Sequence, residues 1–372
     1  MLTLVLSFLM CFALVFAISP SVIRIANKKG LVANPEARSS HKVSTPCIGG
    51  IPIFLGVLFT TLLLTPCDQW GKLQYILSAM VIVFMVGVKD DIEGLSPRKK
   101  MIGLIVAISI LISRGEVELT SLYGLFGSDT VFPFWLTTII SGFTILVITN
   151  SFNLIDGING LSGTVGTICM ISFGTYFFMV DEFYLVVLAM TTAGGLIAFL
   201  NFNITPARTF MGDTGALVVG MLLAVMTIKF IDINASTAVT AKYSFDNPIA
   251  VAVAILIIPL FDTVRVFTTR VLRGRSPFEP DRRHVHHLLI DSGLDHLQAT
   301  AVLGLVNMMF ISIVVCLDDL MELHVLLTLQ ISVALLATFF LHRNVRIRNA
   351  VKKAAEGSPP ESSLPEASIG NA

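Results

Sequence analysis

Met211-Gly212-Asp213-Thr214-Gly215-Ala216-Leu217-Val218-Val219-Gly220-Met221-Leu222-Leu223-Ala224-Val225-Met226-Thr227-Ile228 sets one acid at the mouth of a long apolar run, with no further charge before Lys229. About 20 apolar residues span a bilayer as a helix. Ten more runs of this kind lie along the chain, at roughly 2–19, 48–65, 73–89, 100–113, 133–149, 161–180, 183–200, 248–269, 298–317 and 322–341. With 214–231 they give eleven candidate spans, or ten if the short 100–113 run does not cross. The composition agrees: of 372 residues 54% are hydrophobic and 13% charged, with mean hydropathy +0.83. That charged fraction is about half the soluble average. The expected fold is an all-α, polytopic integral membrane protein.

Basic residues orient the spans. With the N-terminus outside, twenty-one Lys and Arg fall in inner segments, and only Lys72, Arg114, Lys229 and Lys242 fall outside. This is a strong positive-inside bias, and an odd span count returns the C-terminus to the cytoplasm. The first run lacks a basic leader and is followed by Arg24, Lys28 and Lys29, so it reads as an uncleaved anchor. The net charge is zero because charges are segregated by loop. The five cysteines show no metal-ligand or disulfide spacing. The division expected is a transmembrane catalytic domain over 1–345 and a disorder-prone cytoplasmic tail over 346–372, rich in Gly, Ser, Pro and Glu.

Four acidic clusters map to inner span ends: Asp90-Asp91, Asn150-Ser-Phe-Asn153-Leu-Ile-Asp156-Gly157, Met211-Gly212-Asp213-Thr214-Gly215, and Asp262 of Pro259-Leu-Phe-Asp262. An acid beside a span is expensive to desolvate and marks a polar cavity or a function. For one acid alone, a helix cap is an equal rival, above all for Asp213. Four together at one face suit a hard cation such as Mg²⁺, which takes oxygen ligands. Adjacent Asp90 and Asp91 repel each other unless a cation or proton intervenes. The inner loop Arg270 to His287 adds Arg282, Arg283, His284, His286 and His287. Arg forks and His donors suit phosphate oxygens. A loop attracted to anionic lipid explains part of that charge, but not three histidines within four residues. Arg38-Ser-Ser-His41-Lys42 is a further basic patch, equally a lipid or a ligand contact. Arg265, one turn beyond Asp262, is placed to pair with it.

Val88-Lys89-Asp90-Asp91, the Asn150–Leu161 stretch, Phe210-Met-Gly-Asp213-Thr-Gly and His284-Val-His286-His287-Leu-Leu resemble, in order and loop position, the motifs of the polyprenyl-phosphate N-acetylhexosamine-1-phosphate transferases (glycosyltransferase family 4). The resemblance covers about residues 1–340. The His loop is similar to the WecA type; the peptidoglycan enzyme MraY is a more distant relative. The resemblance implies a Mg²⁺-dependent enzyme of the bacterial inner membrane, with Mn²⁺ as a substitute ion and the active site facing the cytoplasm. It would transfer N-acetylglucosamine 1-phosphate, or a close N-acetylhexosamine 1-phosphate, from the UDP-sugar to undecaprenyl phosphate, giving UMP and starting a cell-surface polysaccharide such as O-antigen. By the same analogy Asp90, Asp91 and Asp213 are catalytic. Asp213, Asp91 and Asn153 would hold metal, while Asn153, Asp156, Arg265, Arg282, His284, His286 and His287 would bind substrate. The partners implied are the UDP-N-acetylhexosamine, undecaprenyl phosphate and the bilayer, with a homodimer allowed and no nucleic acid.

Two other readings stand beside this one. The same chemistry could act on UDP-MurNAc-pentapeptide or another UDP-sugar. A cation-coupled transporter also explains acids among many spans, though transporter sites sit near the midplane and these acids sit at the inner boundary.

Overall fold

The computed structural model describes residues 2–31, 45–125, 127, 130–204, 206–235, 243–276 and 283–356. They form thirteen α-helices, and no β-strand occurs among the described residues. In chain order these are α1 (Leu2–Lys29), α2 (Gly50–Leu64), α3 (Trp70–Glu93), α4 (Pro97–Ser113), α5 (Phe134–Leu154), α6 (Leu161–Met179), α7 (Phe183–Asn203), α8 (Gly212–Ala235), α9 (Pro248–Ile255), α10 (Ile257–Val271), α11 (Val285–Asp291), α12 (His296–Leu317) and α13 (Leu323–Glu356). Ten of the eleven apolar runs coincide with one helix each and the run at 248–269 with two, since in a bilayer a segment must satisfy its own backbone.

Among the described residues, eight helices are long and apolar enough to cross a membrane, or nine when α9 and α10 count as one broken span. α2 and α4, with 15 and 17 residues, are shorter than that standard. The single span expected over 248–269 instead bends by 83° between α9 and α10. Pro259 lies in the first turn of α10 and brings no N–H for the carbonyl four residues back. The carbonyls freed at the break are met from neighbouring helices. Asn307 Nδ2 donates to Ala254 O at 3.3 Å and Ile255 O at 3.1 Å, and the Cys169 thiol donates to Ile255 O at 3.0 Å. At the other end of the chain, α13 runs helically to Glu356, past the 345/346 boundary expected for the tail.

α8 is the hub. It packs against α2, α3, α5, α6 and α9, and every residue from Thr214 to Ile231 is buried. A helix apolar on all sides belongs in the middle of a bundle. Its N-terminal turn is approached backbone to backbone. Gly50 of α2 lies against Gly215, and Gly87 of α3 lies against Thr214 and Asp213. A side chain at either position would overlap α8, so small residues set the spacing that brings α3's last turn to α8's first.

Candidate active site

α3 ends in Asp90-Asp91-Ile-Glu93, and the two acids do different things. Asp91 reaches across to the start of α8. Its Oδ1 accepts from Asp213 N at 2.8 Å, and its Oδ2 accepts from Thr214 N at 2.9 Å and from the Thr214 hydroxyl at 2.5 Å. It thus caps α8 from another helix, satisfying donors that a helix N-terminus leaves open. Asp90 has different partners. Its Oδ1 accepts from Leu95 N at 2.6 Å, and its Oδ2 lies 3.1 Å from Lys100 Nζ.

Asp213 completes this centre. Its Oδ2 lies 3.0 Å from the same Lys100 Nζ, and its Oδ1 accepts from Asn153 Nδ2 at 2.5 Å. The ammonium of Lys100 therefore bridges Asp90 and Asp213. In sequence Lys100 reads only as one of several inner-face charges. Its partner acids, ten and 113 residues away, leave no local signature.

The Gly212 turn is fixed from below. Phe210 N donates to Pro46 O at 2.9 Å, Gly49 N to Phe210 O at 2.8 Å and Gly50 N to Met211 O at 2.9 Å. Gly212 has φ +71°, and a Cβ there would meet Cys47 O at 2.6 Å and Asp91 Oδ2 at 2.7 Å. Only glycine fits that turn.

Asp156 sits in the turn between α5 and α6, where Ser162 Oγ donates to its Oδ1 at 2.6 Å. Burial pushes its carboxyl up to about 7, with the Asp213 and Asp91 charges adding to the effect. The Cys47 thiol reports the same field: burial first, then Asp91, Asp156 and Asp213, push it up to about 12. Among the described residues, four carboxyl groups gather here around one lysine. Asn203, not singled out in the sequence, secures the same turn by accepting from Gly160 N at 2.6 Å and donating to Thr209 O at 2.9 Å.

The His loop joins at Gly157, whose α-carbon lies against the His286 ring so closely that a side chain would overlap it. The His284 and His286 rings stack at 5.6 Å, and His286 and His287 are 4.3 Å apart. Asp262 anchors the loop. Its carboxylate pairs with His284 Nδ1 at 2.8 Å, accepts from Val285 N at 2.9 Å and meets Arg265 Nη2 at 2.8 Å. The Asp262–Arg265 pair expected from the i,i+3 spacing is present, and Arg265 also donates to the Arg283 carbonyl. Both contacts turn Arg265 inward to hold the loop. Arg282 and the Arg38–Lys42 patch lie outside the described residues.

His286 is buried, and its Nε2 has no hydrogen-bond partner among the described residues. Burial, then the neighbouring His287, hold it well below the usual histidine range, at about 3. In an unfolded chain it would protonate near 6.5. Between those values unfolding takes up a proton, so stability falls as pH drops through that window. Relative to His286→Gln, the unaltered protein should therefore lose up to about 1.4 kcal/mol of stability per pH unit as pH falls from 6.5 to 5, read by unfolding in detergent at each pH. Equal slopes in the two proteins would refute this.

A divalent cation fits the donor set at one place. Among the described residues, no three His, Cys, Asp or Glu side chains converge on a ready-made metal position. Asp90 and Asp213, however, both turn an oxygen to the Lys100 ammonium, which occupies a cation's position between them. Mg²⁺ keeps several waters and needs only one or two protein carboxylates. Asp91, expected as a second ligand, has both oxygens engaged at α8.

The chain is similar to known proteins. Residues 73–231 match the model of glycosyl transferase family 4. The chain is 29% identical over 308 residues to a decaprenyl-phosphate N-acetylglucosaminephosphotransferase of Mycobacterium tuberculosis, covering 78% of this chain and 76% of the relative. It is 29% identical over 299 residues to the undecaprenyl-phosphate alpha-N-acetylglucosaminyl 1-phosphate transferase of Escherichia coli K12, covering 78% and 77%. A Bacillus subtilis protein named "Probable undecaprenyl-phosphate N-acetylglucosaminyl 1-phosphate transferase" is 29% identical over 311 residues, 83% of this chain and 84% of the relative. The matched segment runs from α3 to α8 and holds Asp90, Asp91, Asn153, Asp156 and Asp213. Over residues 73–231 the chain is similar to glycosyl transferase family 4.

Proposed function

We propose that this protein transfers N-acetylglucosamine 1-phosphate from UDP-N-acetylglucosamine to undecaprenyl phosphate, releasing UMP, at the cytoplasmic face of a bacterial inner membrane. The observation that carries the reading is the meeting of Asp90, Lys100 and Asp213 with Asn153, the Asp156 turn and the His284–His287 loop at one end of the bundle. The eleven helical segments, with α9 and α10 as one crossing, would then start outside and end inside.

In the reaction an oxygen of the lipid phosphate attacks the sugar-linked phosphorus of the diphosphate. A new P–O bond forms there, and the bond to the UMP oxygen breaks. Two polyanions must be held together, so the chief task is neutralisation. Lys100 supplies one fixed positive charge. Asp213 and Asp90 would hold Mg²⁺, which when bound adds positive charge for the phosphates. Asn153 orients the Asp213 carboxylate, and Asp91 fixes the turn that presents it. His284, His286 and His287 line the side where the sugar diphosphate would lie, with Asp262 and Arg265 holding that loop in place. For the prenyl chain there is an apolar groove of about 310 Å³ between α10, α11, α12 and α13, lined by Ile257, Phe261, Leu289, Val306, Phe310 and Leu341. Val285, next to His284 and His286 in the chain, is among its lining residues.

The test is UMP release from UDP-N-acetylglucosamine in inside-out and right-side-out vesicles, with undecaprenyl phosphate and Mg²⁺. Release is expected only where the cytoplasmic face meets the added nucleotide, and EDTA should stop it. Release with another UDP-sugar alone would revise the donor. Silence from folded protein across a panel of UDP-sugars would overturn the assignment.

A further inference from the structure

α11 carries the histidine run on a helix of seven residues, too short to be stable by itself. Both of its ends are fastened by charges from other helices. At its start, Asp262 of α10 accepts from Val285 N and pairs with His284. At its end, Arg348 of α13 donates to the carbonyl of Ser292, the residue that closes α11. The guanidinium also lies across Gly293, which has φ +106° and where any side-chain carbon would overlap it. An acid stands at the positive pole of α11 and a guanidinium at its negative pole, the favourable arrangement at each end.

Arg348 reaches this place because α13 is long. Its 34 residues rise about 50 Å, well beyond the roughly 30 Å of a hydrocarbon core. The last turns, from Arg343 onward, therefore stand clear of the apolar part. Leu289 of α11 and Leu341 of α13 share the lining of the apolar groove, so the two helices also meet below Arg348.

We infer that the extension of α13 is a brace for the histidine loop, with Arg348 as a positioning residue that holds α11 for binding of the UDP-sugar diphosphate. The part concerning the diphosphate rests on the function proposed above. A charge that served only to orient the chain in the membrane would have no need of a hydrogen bond to the Ser292 carbonyl. Arg346, on the same helix and exposed, supplies the comparison.

The experiment uses the full chain in detergent, with two readouts. One is hydrogen exchange of residues 285–291 without substrate; the other is steady-state kinetics with UDP-N-acetylglucosamine and undecaprenyl phosphate. Arg348→Ala should speed exchange in α11 and raise the KM for the nucleotide about fivefold, the scale of one helix-end charge. The KM for the lipid and kcat should change little. Arg348→Lys should recover part of the loss, and Arg346→Ala should match the unaltered protein in both readouts. Unchanged exchange in Arg348→Ala would overturn the brace. Faster exchange with an unchanged nucleotide KM would overturn the positioning role. If the unaltered protein did not turn over UDP-N-acetylglucosamine, the functional reading would fail, while the exchange comparison would still decide the brace.

Discussion

Asp213→Asn is expected to lower turnover by more than about 10³-fold, because it removes a carboxylate from the place where phosphate charge must be neutralised. The same change should leave the metal-free protein as stable as before, or more so. Asp213 stands near Asp90, Asp91 and Asp156, and among the described residues Lys100 and Asn153 relieve it. An amide keeps the packing and drops one of the crowded charges. Sites built for function are often locally unfavourable in this way. Mg²⁺ should also act differently on the two proteins. A ligand that binds only the folded form raises the melting temperature by mass action, so added Mg²⁺ should raise it for the unaltered chain and much less for Asp213→Asn. Near-normal turnover in a folded Asp213→Asn protein would remove this residue from the centre.

Asp91→Ala is expected to damage both activity and stability, which separates it from Asp213. Its carboxylate accepts from two backbone N–H groups and one hydroxyl at the start of α8. Losing that cap should destabilise the fold by about 2–3 kcal/mol, given the usual worth of caps and of hydrogen bonds to charged groups. The Gly212–Asp213 turn would loosen with it, and turnover should fall by about 10²-fold or more, since small displacements in such sites have effects of this size. Asp91→Asn keeps one acceptor oxygen and should lie between. Thermal unfolding in detergent, with UMP release on the same samples, checks both halves. An Asp91→Ala protein with an unchanged melting temperature and an active site still working would show that the α8 cap is dispensable.

Asp90 and Asp91 mark the boundary of what sequence reading reaches. Their placement at a span end follows from the length of the preceding apolar run. Their division of labour does not, because successive residues on a helix point about 100° apart and what each meets depends on the neighbouring helix. α8 arrives 122 residues later, and Gly50 and Gly87 set how near it comes. The Asp262–Arg265 pair was legible because both partners lie on one turn of one helix. Lys100, Asn203 and Arg348 were not, because their partners are distant in the chain and each reads alone as an ordinary polar or inner-face residue.

The sequence by itself determined an all-helical chain with its apolar runs, the placing of acids and histidines at the ends of those runs, and the resemblance that named a chemistry. These are properties of local composition, since a bilayer demands long apolar helices and a phosphate site demands cations, acids and donors. Tertiary structure decided which acid caps α8 and which two share Lys100. It also decided where the ninth run breaks and how Asp262 and Arg348 hold α11 from either end. Those outcomes depend on hydrogen bonds and close backbone approaches between helices far apart in the chain, and only the packed bundle fixes them.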